Sequence, residues 1–378
     1  MPPILFISLR ADHGGGPAHL WMLLSAVHRQ GQPQPGRLAA VVACPREEPY
    51  WSRFTELLGD ENVHQVPHRA FHVVAVWELM RLMRRRRIGL IHSHGKGAGI
   101  YARILSLLTG VPCVHTFHGL HLGRYNPVSR FGYLLLERIL GRCTRALIAV
   151  SAGEARAWQE NCHFPPHRMQ VILNGVPAAD VQLSSSAPTV FTVSCITRFD
   201  EQKNTEFTLE IVAAWSAIAN GLVLHLVLIG DGPGRAAVQA AILARGLAGN
   251  IRCVGQQSAP RGLVAASDAY LSTSRWEGMP LAVIEAAMEG VPLVVSDVVG
   301  NRDVIDLVGG HVYQLGDAPA AARALWTIAT DRPAARAAAE RSRQAAERHF
   351  SVASMAAVTV RAYRVALESQ HAALFSST

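Results

Sequence analysis

Short apolar runs alternate with helical stretches along most of this 378-residue chain. Each run has the length of a strand and is followed by a stretch that favours helix, which is typical of parallel sheets flanked by helices. The predicted strands are residues 4–9, 38–44, 90–93, 113–117 and 146–151 in the first half, and residues 190–195, 222–229, 251–254, 269–274 and 293–296 in the second. Because such a chain is too long for one ordinary core, the sequence predicts two α/β units.

The composition is typical of a globular protein and does not predict a membrane-spanning helix. Hydrophobic residues make up 49% of the chain and charged residues 17%, as expected of a globular protein. The longest apolar runs fall short of the ~18 residues that a membrane-spanning helix needs. The first ten residues have no basic start and fit a first strand better than a signal peptide. Six scattered cysteines without a paired spacing favour reduced thiols, and hence a cytoplasmic protein.

The net charge of +8 implies a partner that is anionic overall. Nucleic acid, an anionic membrane surface and a diphosphate ligand all meet that description. The basic run Arg84–Arg87 ends a candidate amphipathic helix over residues 73–83. Such a run is either a solvated helix end, favoured by the helix dipole, or a contact with anionic lipid.

The segment 276–285 carries two carboxylates, Glu277 and Glu285, around a predicted helix start. Pro280 is suited to the first helical position, and Gly290 is suited to the helix end. A helix N-terminus offers free N–H groups and a partial positive charge, both of which suit phosphate. Carboxylates on either side suit hydroxyl-rich groups, a sugar on one side of a diphosphate and a ribose on the other. The segment therefore predicts a nucleotide-sugar site.

Two further elements follow predicted strands. The glycines Gly14, Gly15 and Gly16 follow the first strand and let a backbone approach a phosphate closely. Arg198 and Lys203 follow the strand over residues 190–195, where cations can neutralise a departing diphosphate without a metal. The intervening Asp200 and Glu201 are expected to be solvated neighbours.

Taken in order, these elements resemble those of the retaining glycosyltransferases of the glycogen synthase and sucrose synthase clan, often called family 4. The pair Glu277 and Glu285 matches the E-x7-E element of that family, residues 198–204 match its diphosphate clamp, and residues 12–17 match its glycine loop. The resemblance runs from about residue 4 to about residue 350. The segment 92–99, with the following His-Thr-Phe-His-Gly, is similar to enzymes of capsule and lipopolysaccharide assembly.

The resemblance implies an α/β protein of the GT-B fold, with two Rossmann-like domains facing a central cleft. We expect an acceptor-side domain over residues 1–180 and a nucleotide-sugar domain over residues 181–350, with a linker within residues 177–188. In this family a last helix crosses back to the N-terminal domain, and residues 351–378 are assigned to it, with the helix itself at about 352–369.

The family also implies roles for single residues. Glu277 and His118 would contact the transferred sugar, Glu285 the ribose, and Arg198 with Lys203 the diphosphate. Further donor contacts are expected from Gly14, Gly15, Gly16, Val254, Gln256, Gly278, Met279, Pro280 and Leu281. The acceptor would attack from the face that the diphosphate leaves, and a donor phosphate oxygen would take its proton. The expected partners are a nucleotide-sugar and a glycan or lipid-linked acceptor, with no cofactor, no metal and no nucleic acid.

Other polar residues are harder to place. His92 and His94 are either structural or acceptor-side residues, and the absence of a nearby cysteine or carboxylate argues against a metal site. Asn301 and Asp303 stand where the resembling family has a second glycine and a glutamate. The contacts beyond the 276–285 helix therefore stay open.

Two other functions fit part of the pattern. A nucleotide-sugar epimerase on the same fold would consume donor without an acceptor. A basic nucleic-acid-binding protein would explain the charge, although the chain lacks interleaved aromatic and basic residues. Among glycosyltransferases, the residues do not separate a UDP-sugar from a GDP-sugar donor, and UDP is favoured as the commoner choice. The acceptor would be a bacterial surface glycan or its lipid-linked precursor, which places the enzyme in the cytoplasm or at the inner face of the membrane.

Overall fold

The computed structural model describes residues 1–29, 38–120, 122–123, 125–179 and 190–375, apart from the side chains of residues 29 and 369–375. The chain divides into two compact units. The first contains Met1–Gly175 and the C-terminal helix Val352–Phe375, and the second is Val176–Ser351. Most of the expected linker falls on residues 180–189, outside the described residues.

The first unit is a parallel sheet with helices between its strands. The strands are β1 (Ile4–Ser8), β2 (Ala40–Cys44), β3 (Val63–Gln65), β4 (Leu90–His94), β5 (Cys113–Thr116), β6 (Ala146–Ala149) and β7 (Met169–Val171). The helices are α1 (Gly15–Arg29), α2 (Tyr50–Leu58), α3 (Val73–Arg86), α4 (Lys96–Thr109), α5 (Pro127–Arg142) and α6 (Ala152–Cys162). The strand order is β3-β2-β1-β4-β5-β6-β7, with every described pair parallel.

The second unit repeats this plan. Its strands are β8 (Val190–Ile196), β9 (Val223–Ile229), β10 (Ile251–Gly255), β11 (Ala269–Ser272), β12 (Leu293–Ser296) and β13 (His311–Tyr313). Its helices are α7 (Phe207–Ser216), α8 (Arg235–Ala244), α9 (Pro260–Ala265), α10 (Leu281–Met288), α11 (Val299–Val308), α12 (Ala318–Thr330) and α13 (Arg332–His349). The strand order is β10-β9-β8-β11-β12-β13, again parallel.

Burial explains why these segments form strands. Every residue of β1, β2, β4 and β12 is buried, as expected where helices cover both faces of a parallel sheet. In the second unit the ring of Phe191 stacks on Trp215 with centroids 5.4 Å apart, which joins β8 to α7 in the core. The α/β architecture predicted from the alternating pattern is confirmed.

The two sheets share a feature that places functional residues. In each sheet the second and third strands lie on one side of the first strand, and the later strands lie on its other side. The order therefore reverses between β1 and β4 in the first unit and between β8 and β11 in the second. At such a switch point the loops after the two neighbouring strands diverge and leave a crevice. The glycine loop and His94 follow one pair of strands, and Arg198 and Glu277 follow the other.

Candidate functional site: a charged crevice in the second unit and a histidine cluster in the first

Glu277 is held by three side chains at the switch point of the second unit. Its Oε1 lies 2.6 Å from Lys203 Nζ and accepts a hydrogen bond from Ser274 Oγ at 2.7 Å. Gln202 Nε2 donates to the other carboxylate oxygen at 3.4 Å and to the carbonyl of Trp276 at 3.1 Å. The Glu277 side chain is only 8% exposed. Its position is therefore fixed by partners from both loops.

Arg198 is paired in the same loop. Its Nη2 lies 2.5 Å from Asp200 Oδ2, and its Nε donates to the same oxygen at 2.6 Å. The other Asp200 oxygen accepts from the Lys203 backbone N–H at 3.0 Å. The expectation that Asp200 is merely a solvated neighbour is wrong, because its carboxylate ties the guanidinium to the turn that carries Lys203.

Glycines bring a second loop against this one. Gly230 and Gly232 adopt φ values of +134° and +155°, which favour glycine. A Cβ on Gly230 would lie 1.9 Å from the Thr197 carbonyl oxygen, and one on Gly232 would lie 2.8 Å from the Phe199 nitrogen. This loop therefore supports the backbone that carries Arg198. The Gly230 N–H also donates to the Gly255 carbonyl at 2.8 Å, so Val254 and Gln256, the predicted base contacts, flank the same corner of the sheet.

The helix α10 begins one residue later than expected. Pro280 is its N-terminal cap and not its first helical residue, and the helix runs Leu281–Met288. Gly278 and Met279 form the turn before it, with the Met279 side chain buried. The first N–H groups of this helix have no acceptor within the helix itself.

Glu285 lies inside α10 in a different environment. Burial raises its pKa to about 7, with the positive charge of Arg261 opposing the shift and Glu289 adding to it. Arg261 Nε itself is 2.5 Å from Glu289 Oε1. Within the described residues Glu285 has no salt bridge, whereas Glu277 is paired with Lys203.

Asn301, which the family pattern left open, lies in a buried hydrogen-bonded chain. Its Nδ2 donates to the Ser296 carbonyl at 2.9 Å and to Ser296 Oγ at 3.1 Å. Ser296 Oγ donates to the Ser274 carbonyl at 2.6 Å, and Ser274 in turn donates to Glu277. The chain connects the start of α11 to the Glu277 carboxylate. Sequence reasoning missed it, because an amide between two loops carries no periodic signal.

A close approach completes this side of the crevice. A Cβ on Gly300 would lie 2.7 Å from the carbonyl carbon and oxygen of Gly278. Glycine at this position lets α11 pack directly on the turn after Glu277. Arg198, Lys203 and Glu277 are thus brought together at the switch point between β8 and β11, and Glu285 lies inside the helix that follows Glu277.

The glycine loop of the first unit lies at the equivalent switch point. Helix α1 starts at Gly15, and a Cβ on Gly15 would meet no atom within 4 Å, whereas one on Gly14 would lie 2.9 Å from Arg10 Nη2. Arg10 is itself paired with Asp12 at 2.7 Å. The loop therefore has open space above Gly15 and a guanidinium beside Gly14.

His118 stands across from this loop. It has a φ of +62°, an uncommon value for a residue with a side chain, and a Cβ on Gly16 would lie 3.9 Å from its ring. His118 Nε2 lies 3.1 Å from His94 Nδ1, and its ring centroid is 4.9 Å from that of His19 on α1. Burial is the largest cause lowering the pKa of each of these three imidazoles, to about 4 for His19.

His92 and His94 have different partners. His92 Nδ1 lies 2.6 Å from the Tyr363 hydroxyl of the C-terminal helix, and its Nε2 lies 2.8 Å from Thr116 Oγ1. Both ring nitrogens of His92 are thus engaged in the core, whereas His94 faces His118.

Comparison with known proteins identifies the family. The model of Glycosyltransferase Family 4 matches residues 13–180, and that of the group 1 glycosyl transferases matches residues 190–331. This chain is a family 4 glycosyltransferase. The glycosyltransferase is 28% identical over 276 residues to the UDP-Gal:alpha-D-GlcNAc-diphosphoundecaprenol alpha-1,3-galactosyltransferase of Escherichia coli, covering 67% of this chain and 70% of that protein. It is 21% identical over 240 residues to the O-antigen biosynthesis glycosyltransferase WbnH of Escherichia coli, covering 62% and 66%.

Solved structures give the same fold. Anabaena Alr3699/HepE in complex with UDP and glucose superposes with a TM-score of 0.80 at 18% identity, covering 96% of this glycosyltransferase and all of that chain. Sucrose-phosphate synthase from Thermosynechococcus elongatus gives a TM-score of 0.77 at 19% identity over the whole of both chains. The glycosyltransferase therefore has the GT-B fold predicted from its motifs.

Proposed function

We propose that this glycosyltransferase is a retaining enzyme that transfers a sugar from a UDP-sugar to a hydroxyl of a bacterial surface polysaccharide or its lipid-linked precursor. The observation that carries the proposal is the Lys203–Glu277 ion pair beside Arg198 at the switch point of the second unit. It joins the cations expected to bind a diphosphate to the carboxylate expected to bind the sugar.

The paired cations keep donors for a ligand. A lysine ammonium has three N–H donors, and Glu277 uses one of them, so Lys203 can hold the carboxylate and a phosphate oxygen together. Arg198 uses Nε and Nη2 toward Asp200 and Gln202. In the described part of the chain its Nη1 has no partner. The guanidinium can thus receive a phosphate without losing Asp200.

The chemistry follows from where the charge develops. As the bond from the sugar to the β-phosphate breaks, negative charge grows on the departing diphosphate, beside Lys203, Arg198 and the N-terminus of α10. The acceptor oxygen forms its bond to the anomeric carbon on the same face and passes its proton to a phosphate oxygen. Glu277 holds the sugar hydroxyls during this step, while Glu285 binds the ribose. Positioning and charge are then the protein's contribution.

The relatives suggest the substrates. One relative is named for UDP-galactose and a diphosphoundecaprenol-linked acceptor, and another for O-antigen biosynthesis. A solved structure of the same fold holds UDP and glucose. These names favour a UDP-sugar, and not a GDP-sugar, as the donor. They also favour a lipid-linked glycan as the acceptor. We further propose that transfer needs no divalent metal, since Arg198 and Lys203 supply the positive charge.

A membrane-linked acceptor also suits the surface of α3. Val73, Val74 and Trp77 at its start are 62%, 68% and 57% exposed, and Arg84–Arg86 form its last turn. Apolar side chains and a basic end on one exposed helix are the features of a helix that lies on anionic lipid. Among the described residues no helix is long and apolar enough to cross a bilayer. We propose that α3 docks peripherally.

The test combines transfer and stereochemistry. The enzyme is given UDP-sugars and GDP-sugars with a polyprenyl diphosphate-linked acceptor, in excess EDTA, and NMR reports the new linkage. We expect transfer from a UDP-sugar with the donor's anomeric configuration kept. An inverted linkage would overturn the retaining assignment, and donor consumption without an acceptor would favour the epimerase.

A further inference from the structure

Three histidines converge in the first unit from separate parts of the chain. His19 comes from α1, His94 ends β4 and His118 follows β5. One ring nitrogen from each lies within 4.8 Å of those of the other two. The grouping is visible only in the fold, because 75 residues or more separate His19 from the others in sequence.

The hydrogen bonding of the cluster is incomplete. His94 Nδ1 lies 3.1 Å from His118 Nε2, so one nitrogen must be protonated and the other not. His94 Nε2 is buried and, among the described residues, has no hydrogen-bond partner. Either tautomer of His94 therefore leaves a lone pair or a proton unsatisfied at Nε2. On the other side of the ring, His94 Nδ1 and His118 Nε2 share a single proton, and a metal ion between them would bond to both lone pairs instead.

The third histidine is oriented for the same role. The side-chain oxygen of Asn174 lies 2.9 Å from His19 Nδ1 and accepts its proton, which leaves Nε2 with a lone pair. An outer partner of this kind is what fixes the ring of a metal-binding histidine.

We propose that His19, His94 and His118 form a site for a divalent transition metal such as Zn²⁺, whose binding inhibits transfer. Three imidazole nitrogens with an open fourth position suit Zn²⁺ or Co²⁺ and are poor ligands for Mg²⁺. The bond of 2.0–2.1 Å typical of Zn²⁺ to imidazole places two ligand nitrogens at about the 3.1 Å that separates His94 Nδ1 from His118 Nε2, and the His19 nitrogen lies within 4.8 Å of both. Inhibition rests on the proposed function, since a metal on His118 withdraws it from the donor sugar.

Binding is tested first, without reference to activity. Full-length protein with any purification tag removed is stripped with EDTA and titrated with Co²⁺, and the visible d–d absorption is followed. We expect one equivalent of a tetrahedral Co²⁺ species that Zn²⁺ displaces. Absence of a stoichiometric species would overturn the proposal, whatever the transferase assay shows.

Single variants assign the ligands. His19→Gln, His94→Gln and His118→Gln should each weaken Co²⁺ binding by at least about tenfold. The matched control is His225→Gln, an exposed histidine on β9 of the other unit, which should bind as wild type does. UDP binding and thermal unfolding show that each variant is folded. Co²⁺ binding unchanged in all three cluster variants would overturn the assignment.

Inhibition separates the metal site from the proposed function. Transfer should fall with the same Zn²⁺ dependence as site occupancy and return with EDTA, and His19→Gln should shift both curves together. Stoichiometric binding with full activity would overturn the inhibitory role and leave the metal site standing. An enzyme inactive with every donor would overturn the proposed function, and the Co²⁺ titration would still report on the site.

Discussion

The two switch points of this glycosyltransferase differ in the charge of the side chains around them. At the second, ionised side chains occur in pairs, with Glu277 beside Lys203 and Asp200 beside Arg198. At the first, buried His19 and His94 and half-buried His118 form a group of imidazoles whose pKa values are lowered chiefly by burial. The doubly wound plan is the same in the two units, while the side chains at their switch points differ in charge. Removing a member of an ion pair should cost more than removing a member of a neutral cluster.

The largest effect is expected at Glu277. Glu277→Ala removes the sugar contact and leaves the Lys203 ammonium without its counter-charge, so turnover should fall about a hundredfold or more. Lys203→Ala and Arg198→Ala each lose a charge-assisted phosphate contact worth about 1.5–3 kcal/mol, or at least about tenfold in rate. Steady-state kinetics with donor and acceptor varied separately measures these losses.

Arg245→Ala is the matched control, since Arg245 pairs with Glu210 on the exposed surface of the same unit. It should transfer sugar at the wild-type rate. If Glu277→Ala, Lys203→Ala and Arg198→Ala transfer sugar as fast as Arg245→Ala does, the charged crevice is not the site of reaction.

Glu285 is expected to show its effect through pH. Its pKa of about 7 in the folded protein exceeds the ordinary 4.5. Below pH 4.5 the carboxyl is protonated in both states. Between pH 4.5 and about 7 stability falls as pH rises, because the unfolded chain releases the proton that the folded chain still holds. Glu285→Gln should therefore gain up to about 3 kcal/mol over wild type between pH 4.5 and pH 8.

Urea unfolding at these two pH values measures the gain. Glu210→Gln serves as the control, because that carboxylate is on the surface, and its difference from wild type should not change with pH in this way. Parallel curves for wild type and Glu285→Gln would refute the raised pKa of Glu285. The Gln variant should also bind UDP more weakly at pH 8 if Glu285 holds the ribose.

Asn301 is expected to have a smaller effect. Asn301→Ala removes two donated hydrogen bonds and loosens Ser296 and Ser274 behind Glu277. At about 1 kcal/mol per bond the variant should lose about 2 kcal/mol of stability. If about half of that loss appears in the positioning of Glu277, turnover should fall roughly fivefold, with little change in the donor KM, since no donor contact is lost.

The control for Asn301 is Asn250→Ala. Asn250 likewise donates an amide bond to a backbone carbonyl, that of Leu224 at 3.0 Å, but beside β10. It should lower stability without lowering turnover. If the two variants lose stability alike and both keep full turnover, Asn301 is structural only.

The comparison also shows what the sequence could predict. Arg198, Lys203, Glu277 and Glu285 follow strands within short segments, so a local pattern was enough to group them. The histidine cluster required three segments and Asn174 to meet, and that depends on strand order. The strands β3, β7 and β13 were not predicted, because three residues are too few to show a period. The prediction that Asp200 is only a solvated neighbour was wrong, because its ion pair with Arg198 depends on the shape of the turn.

The smallest effect is expected from the basic end of α3, and it concerns membrane binding and not sugar transfer. Replacing Arg84, Arg85 and Arg86 with Ser removes three charges, each worth roughly 1 kcal/mol near an anionic surface. Sedimentation with anionic liposomes should fall, most clearly at low ionic strength. Transfer to a short soluble acceptor should persist, because none of the three residues contacts either crevice. The matched control replaces Arg245, Arg323 and Arg336 of the second unit with Ser, which lowers the net charge equally. Equal losses for the two triple variants would mean that net charge alone attracts the protein, and unchanged liposome binding by the α3 variant would make this run a solvated helix end.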